Sequence, residues 1–260
     1  MLILKNDRIN IGIEKGELVS FKLDEYQYIH QKGAPGWKHS DTEMFPIIGP
    51  TDEAGYRVHV PRGNAILDQH GHLREMEYTL VDQSENSANY RKTYTKGTVI
   101  SNSKYPEKSS AQRLIWPFDF QFEKKFELLE KELRIQFTVA GERDMPFMLG
   151  YHPAFKLHST NPSIETEERT VGLQEILDEG SRALELPDCN QLVLRDERDL
   201  EISTEGFGQF MLWTEVPNML CIEPITFYPY SGPQSDLHEG FIHQQGEEMS
   251  FTVILKPQQT

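Results

Sequence analysis

The sequence predicts an all-β protein, a sandwich of large antiparallel sheets with few short helices, and three observations carry that reading. Apolar residues recur at the two-residue period of half-buried strands in several separate stretches. Helical periodicity is scarce. The 18 Gly and 15 Pro punctuate the chain at short intervals, and no alternation of strand and helix patterns appears, which argues against Rossmann and barrel architectures.

The elements follow in order. Ile9, Ile11 and Ile13 form the first clear alternation. Phe118, Phe120 and Phe122 form the next, and Leu133, Ile135, Phe137 and Val139 a third. A polar reversal separates these two runs after Phe126-Glu127-Leu128, so residues 118–139 read as an antiparallel hairpin with its turn near Glu130-Lys131. The best helical candidate is residues 171–179, where Leu173, Ile176 and Leu177 share a face before Gly180. Phe251, Val253 and Leu255 supply a further strand. Polar residues 83–89, 96–112 and 161–169 are the expected loops, and none is long or biased enough to mark a domain boundary. Residues 1–260 therefore read as a single domain.

With 37% hydrophobic residues, including 14 Phe, 10 Tyr and 3 Trp, the chain can bury a large core. Its net charge of −15 argues against a polyphosphate backbone or an anionic membrane as partner, and the excess acid reads as a solvated surface. Two thiols, Cys189 and Cys221, are too few for a disulfide framework and read as reduced packing residues. The apolar stretch Met1 to Leu4 meets Lys5, Asp7 and Arg8 too soon for a signal peptide, and no run approaches the ~20 apolar residues of a membrane span. The expectation is a cytoplasmic protein with neither a nucleic-acid nor a membrane partner.

Three segments place polar groups among turn or strand residues: Gln69-His70-Gly71-His72-Leu73-Arg74, Gly150-Tyr151-His152-Pro153-Ala154-Phe155 and Cys221-Ile222-Glu223-Pro224. His152, between a strand and a proline, reads either as a proton donor and acceptor near neutral pH or as a hydrogen-bonded structural residue. Glu223 follows an apolar run and reads either as a carboxylate aimed into a cleft or as a loop acid. His70 and His72 would share a face in a strand, but no third ligand stands at a suitable spacing, so no metal is expected. No Gly-x-Ser-x-Gly nucleophile elbow occurs.

In their order and surroundings, these segments resemble the aldose 1-epimerase (galactose mutarotase) family, and within it the shorter bacterial LacX-like branch. Met44-Phe45-Pro46-Ile47-Ile48-Gly49, Gln69-His70-Gly71 with Arg74, Trp116-Pro117-Phe118-Asp119-Phe120, residues 150–155 and Cys221-Ile222-Glu223-Pro224 carry the likeness, and Gly246-Glu247 leads into a matching closing strand. The resemblance implies a galactose mutarotase-like β-supersandwich with a sugar cleft on one broad sheet, no metal and no organic cofactor. It further implies interconversion of the α and β anomers of a free aldose, a small-molecule sugar substrate, Glu223 as base, His152 as acid and His70 as a second histidine binding or polarising the sugar. Arg74 takes a substrate-binding position, with an ion pair to Glu75 or Glu77 as its alternative. Those residue types suit the chemistry, because opening a hemiacetal ring needs a base at the anomeric hydroxyl and an acid at the ring oxygen.

The sequence also departs from the family pattern. Pro50 stands where relatives commonly carry a sugar-contacting arginine, with Arg57 and Arg62 following as candidates to reach in. His72 stands where a Phe is usual, and Ile225-Thr226 replace an aromatic residue after Glu223-Pro224. Trp213 reads as a core residue. Two alternatives remain: a hexose-6-phosphate mutarotase, which needs a basic cluster and against which the net charge counts, and a carbohydrate-binding or sensing protein without turnover, which Pro50 favours.

Overall fold

In the computed structural model, which describes residues 1–63 and 65–258, the alternating runs are strands with one face buried. Phe120–Leu128 and Leu133–Gly141 pair antiparallel from Phe120 opposite Gly141 to Leu128 opposite Leu133. The reversal falls on residues 129–132, closed by the Leu129 N–H donating to the Glu132 carbonyl at 2.9 Å. Phe118 is buried but lies before the strand.

This hairpin sits inside a nine-stranded sheet whose order is Thr170–Gly172, Ser163–Glu165, Gln191–Arg195, Leu200–Glu205, Met249–Pro257, Leu133–Gly141, Phe120–Leu128, Ser87–Tyr94 and Thr79–Gln83. A second sheet has the order Leu184–Leu186, Gln209–Trp213, Met219–Ile225, Gly150–Tyr151 and Glu43–Met44, with Ala154–Lys156 also paired to Met219–Ile225. The four N-terminal strands, from Leu2–Lys5 to Tyr26–Gln27, make a third. One continuous apolar cluster joins inward residues of all three, among them Ile11, Phe21, Phe122, Phe137, Phe210, Ile222 and Val253. Face-to-face packing of alternating strands over a common core is the sandwich expected from the two-residue period.

Several boundaries differ from expectation. Residues 83–89 are the end of a hairpin, since Thr79–Gln83 and Ser87–Tyr94 pair and the Ser84 N–H bonds the Ser87 carbonyl at 2.8 Å. Thr79–Gln83 is an exposed edge strand, and the expected loop takes in its last residue and the first three of Ser87–Tyr94. Ser163–Glu165 likewise crosses the expected loop 161–169. The helix is Leu173–Asp178, because Val171 belongs to the strand Thr170–Gly172 that precedes it. Residues 96–112 hold only the two-residue strand Ile100–Ser101. No helix among the described residues is long and apolar enough to cross a membrane.

The second sheet positions the chemistry. In Met219–Ile225, Leu220 and Ile222 join the shared core, while Met219 and Glu223 line a cleft on the opposite face. The neighbouring strand sets Met211 opposite Glu223 and Trp213 opposite Cys221, so period-two geometry gathers these side chains on one surface.

Candidate active site

Glu223 and His152 meet on that surface. His152 leaves the strand Gly150–Tyr151, and its own backbone is held on both sides: its N–H donates to the Thr42 carbonyl at 2.8 Å and its carbonyl accepts from the Thr42 N–H at 3.1 Å. Gly150 lets three strands close up here, since a Cβ would stand 2.4 Å from Cε of Met44 and 3.2 Å from Cγ2 of Ile225. The result puts Nε2 of His152 3.5 Å from Oε1 of Glu223, with side chains only 6% and 1% exposed.

His70 approaches the pair from another segment. It takes a left-handed conformation (φ 74°), as does Gly71 (φ 66°), and the two turn the chain so that the His70 ring packs edge-on to His152 with centroids 5.3 Å apart. Arg74, in the short 3-10 turn Leu73–Glu75, places Nη1 3.4 Å from Nδ1 of His70. A guanidinium only donates, so Nδ1 accepts and the proton of the neutral ring sits on Nε2, available to a ligand oxygen. Arg74 also contacts Glu75, with Nε 3.6 Å from Oε1, so it serves both readings made of it.

Walls around these groups enclose a cleft of about 690 Å³. Trp37 stacks on His152 with centroids 4.2 Å apart and planes 18° apart. Its carbonyl accepts from Nε2 of the buried His30 at 2.9 Å, which holds the segment in place. Trp213 stands edge-on to His152 at 6.1 Å and is only half-buried, so it is a cleft wall as well as a core residue. Lys38, Lys104, Lys108 and Tyr230 also line it, and sequence reasoning singled out none of them or Trp37. All of them lie on loops without periodicity, and the Trp37 indole in a Gly/Pro-rich stretch was the one available signal.

Burial governs the electrostatics. It pushes the Glu223 carboxyl well above the usual carboxylate range and lowers the His152 imidazole to about 3, with Arg74 adding to the latter. His70 is driven well below its ordinary value by burial, then by His152 and Arg74. Burial thus favours the uncharged form of each of the three groups, a carboxylic acid at Glu223 and neutral imidazoles at His152 and His70. Oε2 of Glu223 and Nδ1 of His152 are buried and have no partner within the protein. His152, Cys221 and Glu223 each bring one potential ligand atom within 4.8 Å of the others, and burial disfavours the thiolate and carboxylate forms that ligation would need.

His72 does not share a face with His70. Because His70 and Gly71 are both left-handed, the chain turns instead of running as a strand, and the His72 ring packs 5.1 Å from Tyr94 in the core. Both its nitrogens are buried without partners, so it occupies an aromatic core position. Neither Arg57 nor Arg62 lines the cleft, and Arg62 instead pairs with Glu142. Pro50 borders an adjoining depression that shares Gln69, Ser181 and Tyr230 with the cleft, and Arg182 lines the same depression.

A family model described as aldose 1-epimerase matches residues 53–205. Two Lactococcus lactis subsp. lactis proteins, the plasmid and chromosomal forms of Protein LacX, are each 27% identical over 174 residues, which is 64% of this chain and 52% of theirs. The chain thus spans about half the length of these curated relatives. Among solved structures, a galactose mutarotase-like protein from Lactobacillus casei ATCC 334 superposes with a TM-score of 0.81 at 17% identity, covering 99% of this chain and 100% of that one. A putative aldose 1-epimerase from Escherichia coli K12 gives 0.72 at 16% identity, with 98% of both chains covered. The fold is that of the galactose mutarotase-like proteins.

Proposed function

Because the chain belongs to the aldose 1-epimerase family, we propose that it interconverts the α and β anomers of an aldose, with Glu223 as base, His152 as acid and His70 and Arg74 binding the sugar. The observation that supports this most is the buried pair itself, a carboxyl and an imidazole 3.5 Å apart on the floor of a cleft. Ring opening takes the proton from the anomeric hydroxyl to Glu223 as the carbonyl forms. The bond from the anomeric carbon to the ring oxygen breaks, its electron pair stays on that oxygen, and His152 protonates it. Rotation beside the aldehyde and reversal of both transfers close the other anomer.

The protonation states give this sequence a direction. Before opening, the pair must be carboxylate and imidazolium; after it, carboxylic acid and neutral imidazole. Burial favours the second state, so the same desolvation that raises one group and lowers the other stabilises the pair as it stands beside the open chain. The attraction between the two charges, across the 3.5 Å from Nε2 to Oε1, offsets the cost of the charged state. His70, kept neutral with its proton on Nε2, donates to a sugar oxygen without adding charge.

Exchange between anomers at chemical equilibrium, read by NMR over glucose, galactose, xylose, arabinose and glucose 6-phosphate, tests the reaction. Wild type should accelerate exchange for at least one sugar, and Glu223→Gln should lose about 10²- to 10⁴-fold of that rate. Acceleration that survives Glu223→Gln would remove the carboxyl from the mechanism.

A further inference from the structure

Residues 68–71 close a reverse turn, the Gly71 N–H donating to the Asp68 carbonyl at 2.9 Å. The third residue of that turn is His70, at a φ of 74°, where glycine is the ordinary occupant. A histidine in the left-handed region carries backbone strain and persists there only where its surroundings fix it. The conformation sets an imidazole beside His152, and something must hold it.

The first residue of the turn is suited to that task. Asp68 is buried, and its carboxylate takes three donors: the Gln69 N–H at 2.6 Å and Nζ of Lys104 at 3.3 Å on Oδ1, and Nδ2 of Asn102 at 2.8 Å on Oδ2. Burial raises the Asp68 carboxyl, but the bond from Asn102 and the charge of Lys104 more than reverse this and hold it below its ordinary value, so it stands as a carboxylate. Asn102 is buried and fixed in turn. Its Nδ2 also donates to the Ala111 carbonyl at 2.8 Å, its Oδ1 accepts from the Lys104 N–H at 3.1 Å, and its own N–H donates to the Gln112 carbonyl at 3.1 Å. The same loop reaches Arg74, because Oγ of Ser103 donates to Oε1 of Glu75 at 2.8 Å and that oxygen lies 3.6 Å from Nε of Arg74. A stretch with almost no regular structure thus braces both residues that the cleft turns toward a ligand.

We propose that Asp68 is a positioning residue: its carboxylate, clamped by Asn102 and Lys104, holds the left-handed turn that presents His70 to the cleft. The hold on His70 stands on these contacts alone, and its consequence for a sugar rests on the mutarotase reading above, in which His70 binds the substrate. An amide cannot replace the carboxylate. Asparagine at position 68 keeps one acceptor oxygen and turns an N–H₂ group toward Asn102 or toward Gln69 and Lys104, so donor faces donor and one side of the clamp opens.

Two readouts test it, one without ligand and one with. The His70 ring resonances of the full chain, assigned by their loss in His70→Ala, report the ring beside His152. In Asp68→Asn they should move toward the positions of an exposed histidine, and unchanged resonances in the folded variant overturn the proposal. Asn102→Ala opens the clamp from the loop side and should move the same resonances, which keeps the test available if Asp68→Asn does not fold. The sugar that wild type exchanges fastest, among those tried above, is then titrated against the fluorescence of Trp37 and Trp213 in a double-mutant cycle. Asp68→Asn should weaken binding about 3- to 10-fold in the wild-type background and by less than about twofold in the His70→Ala background. An equal loss in both backgrounds shows that Asp68 does not act through His70 and overturns the proposal. Displaced His70 resonances in a protein that exchanges none of those sugars uphold the hold on His70 and overturn the mutarotase reading instead.

Discussion

The Tyr151 phenol donates to Oδ2 of Asp41 at 2.7 Å, in the core, while the next residue, His152, turns the opposite way into the cleft. The same oxygen accepts from Nζ of Lys124 at 2.6 Å, and that ammonium also reaches Oε1 of Glu43 at 2.7 Å. Nζ of Lys92 stands 3.7 Å from the other oxygen of Glu43. Two acids and two bases are therefore sealed beneath the strands that carry the site. Burial pushes the Asp41 carboxyl up to about 6 against the pull of Lys124, and lowers the Lys92 ammonium to about 8.

Removing the central cation should be far more damaging than removing the phenol. Lys124→Met leaves Asp41 and Glu43 together without their shared partner and should destabilise the fold by about 3–5 kcal/mol. Tyr151→Phe deletes one hydrogen bond and should cost about 1 kcal/mol. Urea unfolding of both variants at neutral pH measures the difference, and equal losses would show that the cluster does not depend on its lysine.

Acid should weaken the protein partly through His72. Its pKa is lowered to about 3 by burial, below the ordinary value near 6.5, so between the two the unfolded chain binds more protons and stability falls as pH falls. His72→Phe fills the same aromatic site beside Tyr94 without that linkage. Its stability relative to wild type should be about 2 kcal/mol more favourable at pH 5 than at pH 7. Urea midpoints at the two pH values decide it; the same gain at both would mean that His72 titrates normally.

The pH profile of kcat/KM reports the free enzyme's pair. With His152 lowered to about 3 by burial, its imidazole stays neutral across the mildly acidic and neutral range, and no acid limb from it should appear near 6.5. Trp37→Leu strips the ring stacked on His152, admits water and should move the limb upward. Exchange rates from pH 4 to 8 on both proteins are the check, and a wild-type limb centred near 6.5 would contradict the desolvated pair.

Gly71 links the His70 turn to the strand start. An alanine Cβ there would lie 2.2 Å from the Phe45 carbonyl oxygen, at a φ of 66°, and that same carbonyl accepts from the His72 N–H at 2.7 Å. Gly71→Ala should cost about 3 kcal/mol or more and raise KM by displacing His70. Thermal unfolding with anomer exchange on the folded fraction measures both effects. Unchanged KM would place His70 outside the binding surface.

How much of this was readable beforehand depended on the range of the signal. Strand alternation is local, so the 118–139 hairpin and the closing strand were visible, and Glu223 and His152 announced themselves by interrupting apolar sequence just before prolines. The pairing of a face, by contrast, depends on backbone conformation that spacing does not reveal. His70 and His72 are two apart, and only the left-handed pair at 70 and 71 sends one to the cleft and the other to the core. Trp37 and Lys104 reach the site because distant loops cross the sheet, a long-range outcome with no local pattern. The net charge, an average over the surface, likewise does not reveal that Lys38, Arg74, Lys104 and Lys108 border the cleft.

The strand Met249–Pro257 stands fifth of nine, between Leu200–Glu205 and Leu133–Gly141, and of those nine it is the last to be synthesised. During translation the two halves of the large sheet wait with their inner edges unpaired, and Phe251, Val253 and Leu255 are missing from the core they complete. Open edges of that kind invite pairing with other chains. Emergence of this segment from the ribosome therefore sets the moment at which the nascent protein passes from an aggregation hazard to a closed fold, and a stalled message would be most harmful just before it.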